Sequence, residues 1–114
     1  MRTFVVVLGL TAAALPARAE TIAPSDAKTH VGQTVTIHAS VDEVKTGRGG
    51  ATFLDMGGAF PDNAFAAVIF ASDLAKFPSA KTLKGKTVAI SGPVELYQGK
   101  PEIILKTADQ LKAD

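Results

Sequence analysis

The chain of 114 residues contains no cysteine and no tryptophan, and it has a single tyrosine. Without cysteine it cannot form disulfides, thiolate metal sites or a thiol nucleophile, so its folded state must depend on hydrophobic burial. It also lacks an excess of one charge, because 12 basic residues nearly balance 11 acidic ones and the net charge is +1. Tight non-specific binding to a polyanion needs excess cationic charge, and we do not expect it here.

The amino-terminal residues have the composition of a secretory signal. Arg2 gives a positive start, residues 4–15 form an apolar run, and Ala17 and Ala19 are the small residues that signal peptidase reads. The run has about 12 residues, whereas a membrane-spanning helix needs roughly 20. We therefore predict a cleavable signal over residues 1–19 and a mature protein that is periplasmic or secreted, with no stable membrane insertion.

The chain after the predicted cleavage site is long enough for one domain with a single core. Removal of the two arginines in the signal changes the net charge to about −1. We predict a polar lead-in over residues 20–30 and one domain over residues 31–114, and we expect a monomer.

Alternation of apolar and polar residues predicts five strands in this domain. The first alternates from Val35 to Val41, and Val44 resumes the pattern out of phase, which indicates a β-bulge at residues 42–43. The other strands are predicted over residues 51–56, 65–70, 88–96 and 101–105.

Two short helices are predicted between and after these strands. Ser72 is expected to cap the first helix, which ends before Pro78. Thr107 and Gln110 form a capping box for the second, which carries Leu111. The order is strand, strand, strand, helix, strand, strand. Closure of such a sheet into a small barrel removes its exposed edges, so we predict an all-β, five-stranded barrel of the oligonucleotide/oligosaccharide-binding (OB) fold.

Several segments also resemble a known family. These segments are residues 31–37, 52–55, 65–70, 83–88 and 97–105. They are similar to the OB-fold nucleic-acid-binding family related to anticodon-binding domains, and the run GKPEIIL at 99–105 is the most specific part. The resemblance implies the fold and, through it, nucleic-acid binding.

In an OB fold the ligand face lies on the second and third strands, between the loop after strand one and the loop between strands four and five. The residues predicted to bind a ligand there are Lys45, Arg48, Phe53, Phe65, Tyr97 and Lys100. Aromatic rings would stack on bases, and cations would contact phosphates. Phe53 and Phe65 also fit a structural role in the core, whereas Tyr97 sits at a loop mouth and is the strongest single candidate.

No arrangement of residues predicts an enzyme, a metal site or a cofactor. The carboxylates Asp55, Asp62 and Asp73 are scattered along the chain, and His30 and His38 lack the i, i+4 spacing of helical metal ligands. We therefore predict a non-catalytic exported binding module with single-stranded nucleic acid as partner. The alternative is an envelope module that uses the same barrel face for a protein, a glycan or a small ligand.

Overall fold

The computed structural model describes residues 19–114, so the predicted signal over residues 1–19 lies outside the described residues except for Ala19. The described chain forms eight strands: β1 Glu20–Ile22, β2 Thr34–Thr46, β3 Thr52–Met56, β4 Phe65–Ile69, β5 Thr87–Pro93, β6 Glu95–Tyr97, β7 Lys100–Ile104 and β8 Leu111–Ala113. It also forms five 3-10 helices: Pro24–Thr29, Arg48–Gly50, Ala71–Lys76, Ala80–Thr82 and Ala108–Gln110. None of these helices has the length and apolar character that a bilayer span requires.

The strand pairing is that of an OB fold. Strand β2 pairs antiparallel with both β3 and β5, β3 pairs antiparallel with β4, and β4 pairs parallel with β7. The five predicted strands are all present, with the fourth divided into β5 and β6. The predicted all-β OB-fold class is therefore confirmed.

Strand β2 is long because it pairs with two other strands along its length. Its first half pairs with β5 and its second half pairs with β3, and the register shifts between Val41 and Glu43. An extra residue in one strand bends it and increases its twist. The β-bulge that the sequence predicted at this point is thus confirmed, and it forms a corner of the barrel.

The sheet does not close completely, because β5 and β7 contact each other without a hydrogen-bonded ladder between them. At this seam the two strands approach closely, since a Cβ on Gly92 would lie 2.8 Å from Cγ2 of Ile103. The amide of Gln110 bridges the gap, with Nε2 donating to Ser91 O at 3.0 Å and to Ile104 O at 3.2 Å. A side chain therefore takes the place of the missing backbone pairs.

The predicted capping box at Thr107 is present, but the helix that follows is a single 3-10 turn. Leu111 was expected in that helix and instead begins β8, where it pairs with Ile90 of β5. The prediction for Leu111 was wrong because the backbone returns to the extended conformation after one turn and gains a strand partner.

The predicted helix after the third strand is also 3-10 rather than α-helical. Phe70, not Ser72, occupies the N-cap position, and no side chain caps the helix. Six residues ahead of Pro78 offer too few intrahelical hydrogen bonds to sustain an α-helix. The prediction of a Ser72 cap was therefore wrong.

Residues 20–30, which the sequence predicted as a polar lead-in, pack against the barrel. Strand β1 pairs parallel with β2, with Glu20 opposite Val35. Pro24 and Ala27 of the first 3-10 helix are buried.

The core lies on the inner face of the barrel. Its largest fully buried side chains are Phe65, Ile37, Leu54, Met56, Ile69, Ile90, Ile103, Leu105, Val35, Val41, Val88 and Val94. Since side chains alternate along a strand, the residues between them on β3, β4 and β7 point to the outer face.

Candidate ligand-binding groove

A groove crosses the outer face of β3, β4 and β7. It consists of two adjoining clefts of about 660 and 560 Å³. Arg48, Phe53, Tyr97 and Glu102 line both clefts, so the two form one continuous surface. The first cleft extends toward residues 57–64, and the second extends toward β6 and the helix that follows β4.

The floor of the groove is made by the outward-facing residues of the three strands. These residues are Phe53, Asp55, Ala66, Val68, Glu102 and Ile104. In the sheet, Ala66 pairs with Asp55 on one side and with Glu102 on the other. The floor therefore combines apolar side chains with two carboxyl groups that flank an alanine.

One wall is the loop between β2 and β3. Arg48 is exposed on its 3-10 turn, and Lys45 pairs with Phe53 just before the loop. A Cβ on Gly47 would lie 2.5 Å from Cε1 of Phe53. The loop thus packs directly against the aromatic ring, and a side chain at residue 47 would displace that ring.

The segment of residues 57–64 presents an exposed aromatic ring beside this wall. Phe60 is 57% exposed and precedes a cis peptide bond to Pro61. The segment is nevertheless tied down, because Gly58 N donates to Asp42 Oδ2 at 2.7 Å. The Nζ of Lys45 lies 3.6 Å from the centroid of the Phe60 ring, within cation–π range. The Phe60 ring therefore has a cation over one face, and its segment is bonded to β2 through Asp42.

Lys100 fastens the same segment from β7. Its Nζ donates to Pro61 O at 2.7 Å, to Asn63 O at 3.0 Å and to Asn63 Oδ1 at 3.0 Å. An ammonium group has three hydrogens, so these three acceptors satisfy it fully. Lys100 lines the groove, and its ammonium group is engaged in holding residues 57–64 in place.

The opposite wall is the hairpin turn between β6 and β7. Gln98 and Gly99 both have positive φ, as a type I′ hairpin turn requires. Tyr97 and Lys100 pair across the base of the turn. Tyr97 is 60% exposed, and its ring stands at the junction of the two clefts.

Exposed apolar side chains concentrate in the groove. Among the described residues the large exposed hydrophobic side chains are Val31, Phe60, Phe70, Leu96 and Tyr97. All except Val31 line one of the two clefts. A clustered exposed apolar surface is typical of an interaction site.

Five of the six residues predicted to bind a ligand line this groove: Lys45, Arg48, Phe53, Tyr97 and Lys100. Phe65 does not, because it is fully buried in the core. It lies at an inward-facing position of β4, and every residue of this strand is buried. The apolar run of that strand contains no polar residue to indicate which positions face inward.

The set of ligand-binding residues predicted from the sequence left out several groove residues, among them Phe60, Phe70, Asp55 and Glu102. Phe60 lies in a turn-rich segment, and its partner Lys45 is distant in sequence. The outward position of Glu102 could have been predicted from the sequence, because alternation around the core residues Ile103 and Leu105 places it on the outer face.

The two floor carboxyl groups are perturbed by their surroundings. Burial raises the pKa of Asp55, with Glu43 adding to the effect and Lys45 and Lys100 opposing it. Burial also raises the pKa of Glu102 to about 7, and Glu95, directly opposite on β6, adds to it. The floor of the groove therefore changes its charge near neutral pH.

Both histidines lie outside the groove. The Nε2 of His38 is 2.9 Å from Asp114 Oδ2, and the Nε2 of His30 is 3.6 Å from Glu20 Oε1. Within residues 19–114, no three side chains of metal-binding type come together. The groove itself offers aromatic faces, cations and carboxyl acceptors, which are groups suited to binding.

Comparison with known proteins gives matches only at the level of structure. No family model matches the chain, and no curated protein is similar to it in sequence. An asparaginyl-tRNA synthetase of Entamoeba histolytica superposes with a TM-score of 0.57 at 20% identity, covering 84% of this chain and 23% of its own. An aspartyl-tRNA synthetase of the same organism superposes with a TM-score of 0.50 at 18% identity, covering 75% of this chain and 19% of its own.

A third similar structure is a Klebsiella pneumoniae protein provisionally described as a nucleic acid-binding lipoprotein. It superposes with a TM-score of 0.50 at 13% identity, covering 88% of this chain and 99% of its own. The chain thus spans less than a quarter of the two synthetases and nearly all of the Klebsiella protein. At these identities the likeness shows the fold: the chain is an OB-fold protein.

Proposed function

We propose that this chain is an exported, non-catalytic OB-fold module that binds single-stranded nucleic acid in the groove. The proposal rests on one arrangement: Phe53, Phe60 and Tyr97 lie along the same groove as Lys45 and Arg48. Unpaired bases stack on aromatic rings, and cations on the walls of such a groove contact the phosphates.

The charge of the groove sets the expected strength of binding. Lys100 is held by three oxygens, so Arg48 and Lys45 remain as the phosphate contacts among the predicted cations. Each phosphate neutralised on a single strand contributes roughly −0.7 to the slope of log K against log salt, which gives about −1.4 for two contacts. Binding is therefore modest and weakens with salt.

Similar structures support this ligand and the exported location. Two of them are tRNA synthetases, and the third, of nearly the same extent as this chain, is described as a nucleic acid-binding lipoprotein. The composition of residues 1–19 supports export independently.

A protein partner is the second candidate, and the second cleft favours it. Phe70 and Leu96 are exposed there beside Tyr97, and the cleft is bounded by the acidic pair Glu95 and Glu102. Such a surface would suit a segment with apolar and basic side chains.

Fluorescence anisotropy of a labelled oligothymidine of about 12 nucleotides, a length within the range of OB-fold sites, tests the first candidate. We expect saturable binding at low salt, weaker binding at moderate salt, and little binding to the corresponding duplex. No change in anisotropy at low salt would reject the nucleic-acid proposal and direct attention to envelope proteins.

Matched variants locate the site. Tyr97→Ala and Phe60→Ala each remove an exposed ring from the groove, and Val31→Ala removes an exposed apolar side chain outside it. The first two should each lower affinity by about 1–3 kcal/mol, whereas the third should leave it unchanged. Arg48→Gln should reduce the salt slope by roughly 0.7, and Lys84→Gln, an exposed change away from the groove, should not.

Export is tested by expressing the full chain and analysing the envelope and cytoplasmic fractions. We expect a product with Glu20 as its first residue in the envelope or medium, identified by mass spectrometry. An unprocessed chain in the cytoplasm would reject this part of the proposal without affecting the binding experiment.

A further inference from the structure

The floor of the first cleft has an unusual pattern of hydrogen-bonding groups. Asp55 and Glu102 face the groove and pair with Ala66 from the two neighbouring strands. Their Cα atoms are therefore separated by two strand spacings, or about 10 Å. None of the six outward-facing floor residues carries an N–H donor in its side chain. The small side chain of Ala66 leaves a notch between the two carboxyl groups.

Asp55 is incompletely paired although it is only 2% exposed. Its Oδ1 accepts a long hydrogen bond of 3.4 Å from Asn63 Nδ2, which also donates to Phe65 O at 3.1 Å. No donor within residues 19–114 reaches its Oδ2. A buried polar atom without a partner is costly and rare in native proteins, and Asp55 is one of the residues that line the first cleft.

Glu102 is the second acceptor, and its carboxyl group is also in an unfavourable environment. It pairs directly with Glu95 across β6 and β7, and like charges in opposed positions destabilise a sheet. A ligand that brings N–H groups to the notch would relieve both carboxyl groups.

We propose that Asp55 and Glu102 form a base-reading subsite that accepts hydrogen bonds and makes the groove prefer guanine to thymine or uracil. The inference rests on the proposed function, since it concerns the bases of a bound single strand. The Watson–Crick edge of guanine presents two adjacent N–H donors, which a carboxylate can accept together. Thymine and uracil present one N–H between two carbonyl oxygens, and these oxygens would face the carboxyl groups unfavourably.

The surroundings of the notch fit a base rather than a phosphate. Phe53 lies on the floor two residues from Asp55, and Tyr97 lines the same cleft, so aromatic faces are available to a base whose edge meets the carboxyl groups. Arg48 and Lys45 lie on the outer wall, where the sugar-phosphate backbone would run. The groove thus separates the acceptor floor from the cationic rim.

The test compares oligothymidines of about 12 nucleotides that carry one central thymine, guanine or hypoxanthine. Hypoxanthine is the matched control because it lacks only the exocyclic amino group of guanine. We expect the guanine oligomer to bind roughly tenfold more tightly than oligothymidine, with the hypoxanthine oligomer in between. Equal affinities of all three for the wild-type protein would overturn the inference while leaving the proposed function intact. Failure of every oligomer to bind would instead reject the proposed function.

Variants of the notch identify the groups responsible. Asp55→Asn and Glu102→Gln replace carboxylates with amides of similar shape, and each should reduce the guanine preference to about threefold or less. Asp26→Asn makes the same change of charge at an exposed residue outside both clefts, so the preference should remain. Ala66→Val fills the notch without changing charge and should also abolish the preference. Retention of the full preference in the Asp55, Glu102 and Ala66 variants would overturn the assignment.

The preference should also depend on pH. Both oxygens of Glu102 act purely as acceptors only when the group is ionised, and burial together with Glu95 raises its pKa to about 7. The other charged groups that line the first cleft are Asp55 across the notch and the cations Lys45, Arg48 and Lys100. The preference for guanine should therefore be larger at pH 8 than at pH 6, and Glu102→Gln should remove that difference. A pH-independent preference would exclude Glu102 from the subsite.

Discussion

The inner and outer faces of β3, β4 and β7 are built from the same three strands and have opposite properties. The inner face contributes Leu54, Phe65 and Ile103, all fully buried among other apolar side chains. The outer face contributes Phe53, whose ring meets the groove, and two carboxyl groups whose pKa values are raised. A raised carboxyl pKa means that the folded state disfavours the ionised group.

This difference separates residues that stabilise the barrel from residues that lower its stability. Hydrophobic burial on the inner face lowers the free energy of the folded state. Burial of the Asp55 and Glu102 carboxyl groups on the outer face raises it, since charged groups lose hydration there. Residues that cost stability are expected where a protein binds a ligand, and the outer face is where the groove lies.

The largest effect should come from the inner face. Phe65→Ala removes a fully buried ring and leaves a cavity, so the free energy of unfolding should fall by about 3–5 kcal/mol. Urea denaturation followed by circular dichroism measures this change. Phe60→Ala, on the groove side, should change stability by less than about 0.5 kcal/mol. Similar losses for the two variants would contradict the distinction between the faces.

Lys100 contributes both to the groove and to stability. It lies on β7 at the edge of the groove, and its hydrogen bonds hold residues 57–64 in place. Lys100→Met removes three charge-assisted hydrogen bonds and should lower the free energy of unfolding by about 2 kcal/mol. The backbone amides of Gly58 and Ala64 should exchange with deuterium faster than in the wild type. Lys84→Met, an exposed change elsewhere, is the control. Unchanged exchange in this segment would show that Lys100 does not hold it.

The carboxyl group of Glu102 should reduce stability at alkaline pH. Its pKa is raised from 4.5 to about 7 in the folded protein, so folding favours the protonated form. Stability should therefore fall as pH rises from 4.5 through 7, by about 1 kcal/mol once solvent screening at a half-buried group is considered. Glu102→Gln should be more stable than the wild type at pH 8 and equal to it at pH 5, as measured by urea midpoints. An equal difference at both pH values would contradict this assignment.

The smallest effect should come from the close approach of the β2–β3 loop to Phe53. In Gly47→Ala the new methyl group would meet the Phe53 ring, which must shift at a cost of about 0.5 kcal/mol. Combining the change with Phe53→Leu should relieve this contact, so the two effects should be non-additive in thermal unfolding. Strict additivity would mean that the loop does not pack on the ring.

The sequence allowed prediction of features that depend on local patterns. Alternation identified the strands, and the phase shift at Val44 located the bulge that the register confirms between Val41 and Glu43. The capping box at Thr107 also depends on neighbouring residues, and it is present.

Features that depend on distant contacts escaped prediction. Strand β1 is only three residues long and is stabilised by parallel pairing with β2, so no local pattern marks it. The direction of Phe65 was ambiguous because β4 is apolar on both faces. Asp55 and Glu102 are brought together by pairing with Ala66 on the strand between them. The two acidic residues are 47 positions apart in the chain, so no local pattern predicts that they are close.

The seam bridged by Gln110 has a consequence for the order in which the protein matures. A chain leaves the ribosome, or crosses a membrane, from its amino terminus, so all the strands that line the groove emerge before residue 110. Until then the backbone carbonyl groups of Ser91 and Ile104 lack the amide that joins them. The seam between β5 and β7 is therefore bridged only after every strand that lines the groove has emerged, and a polypeptide halted before residue 110 would lack this bridge.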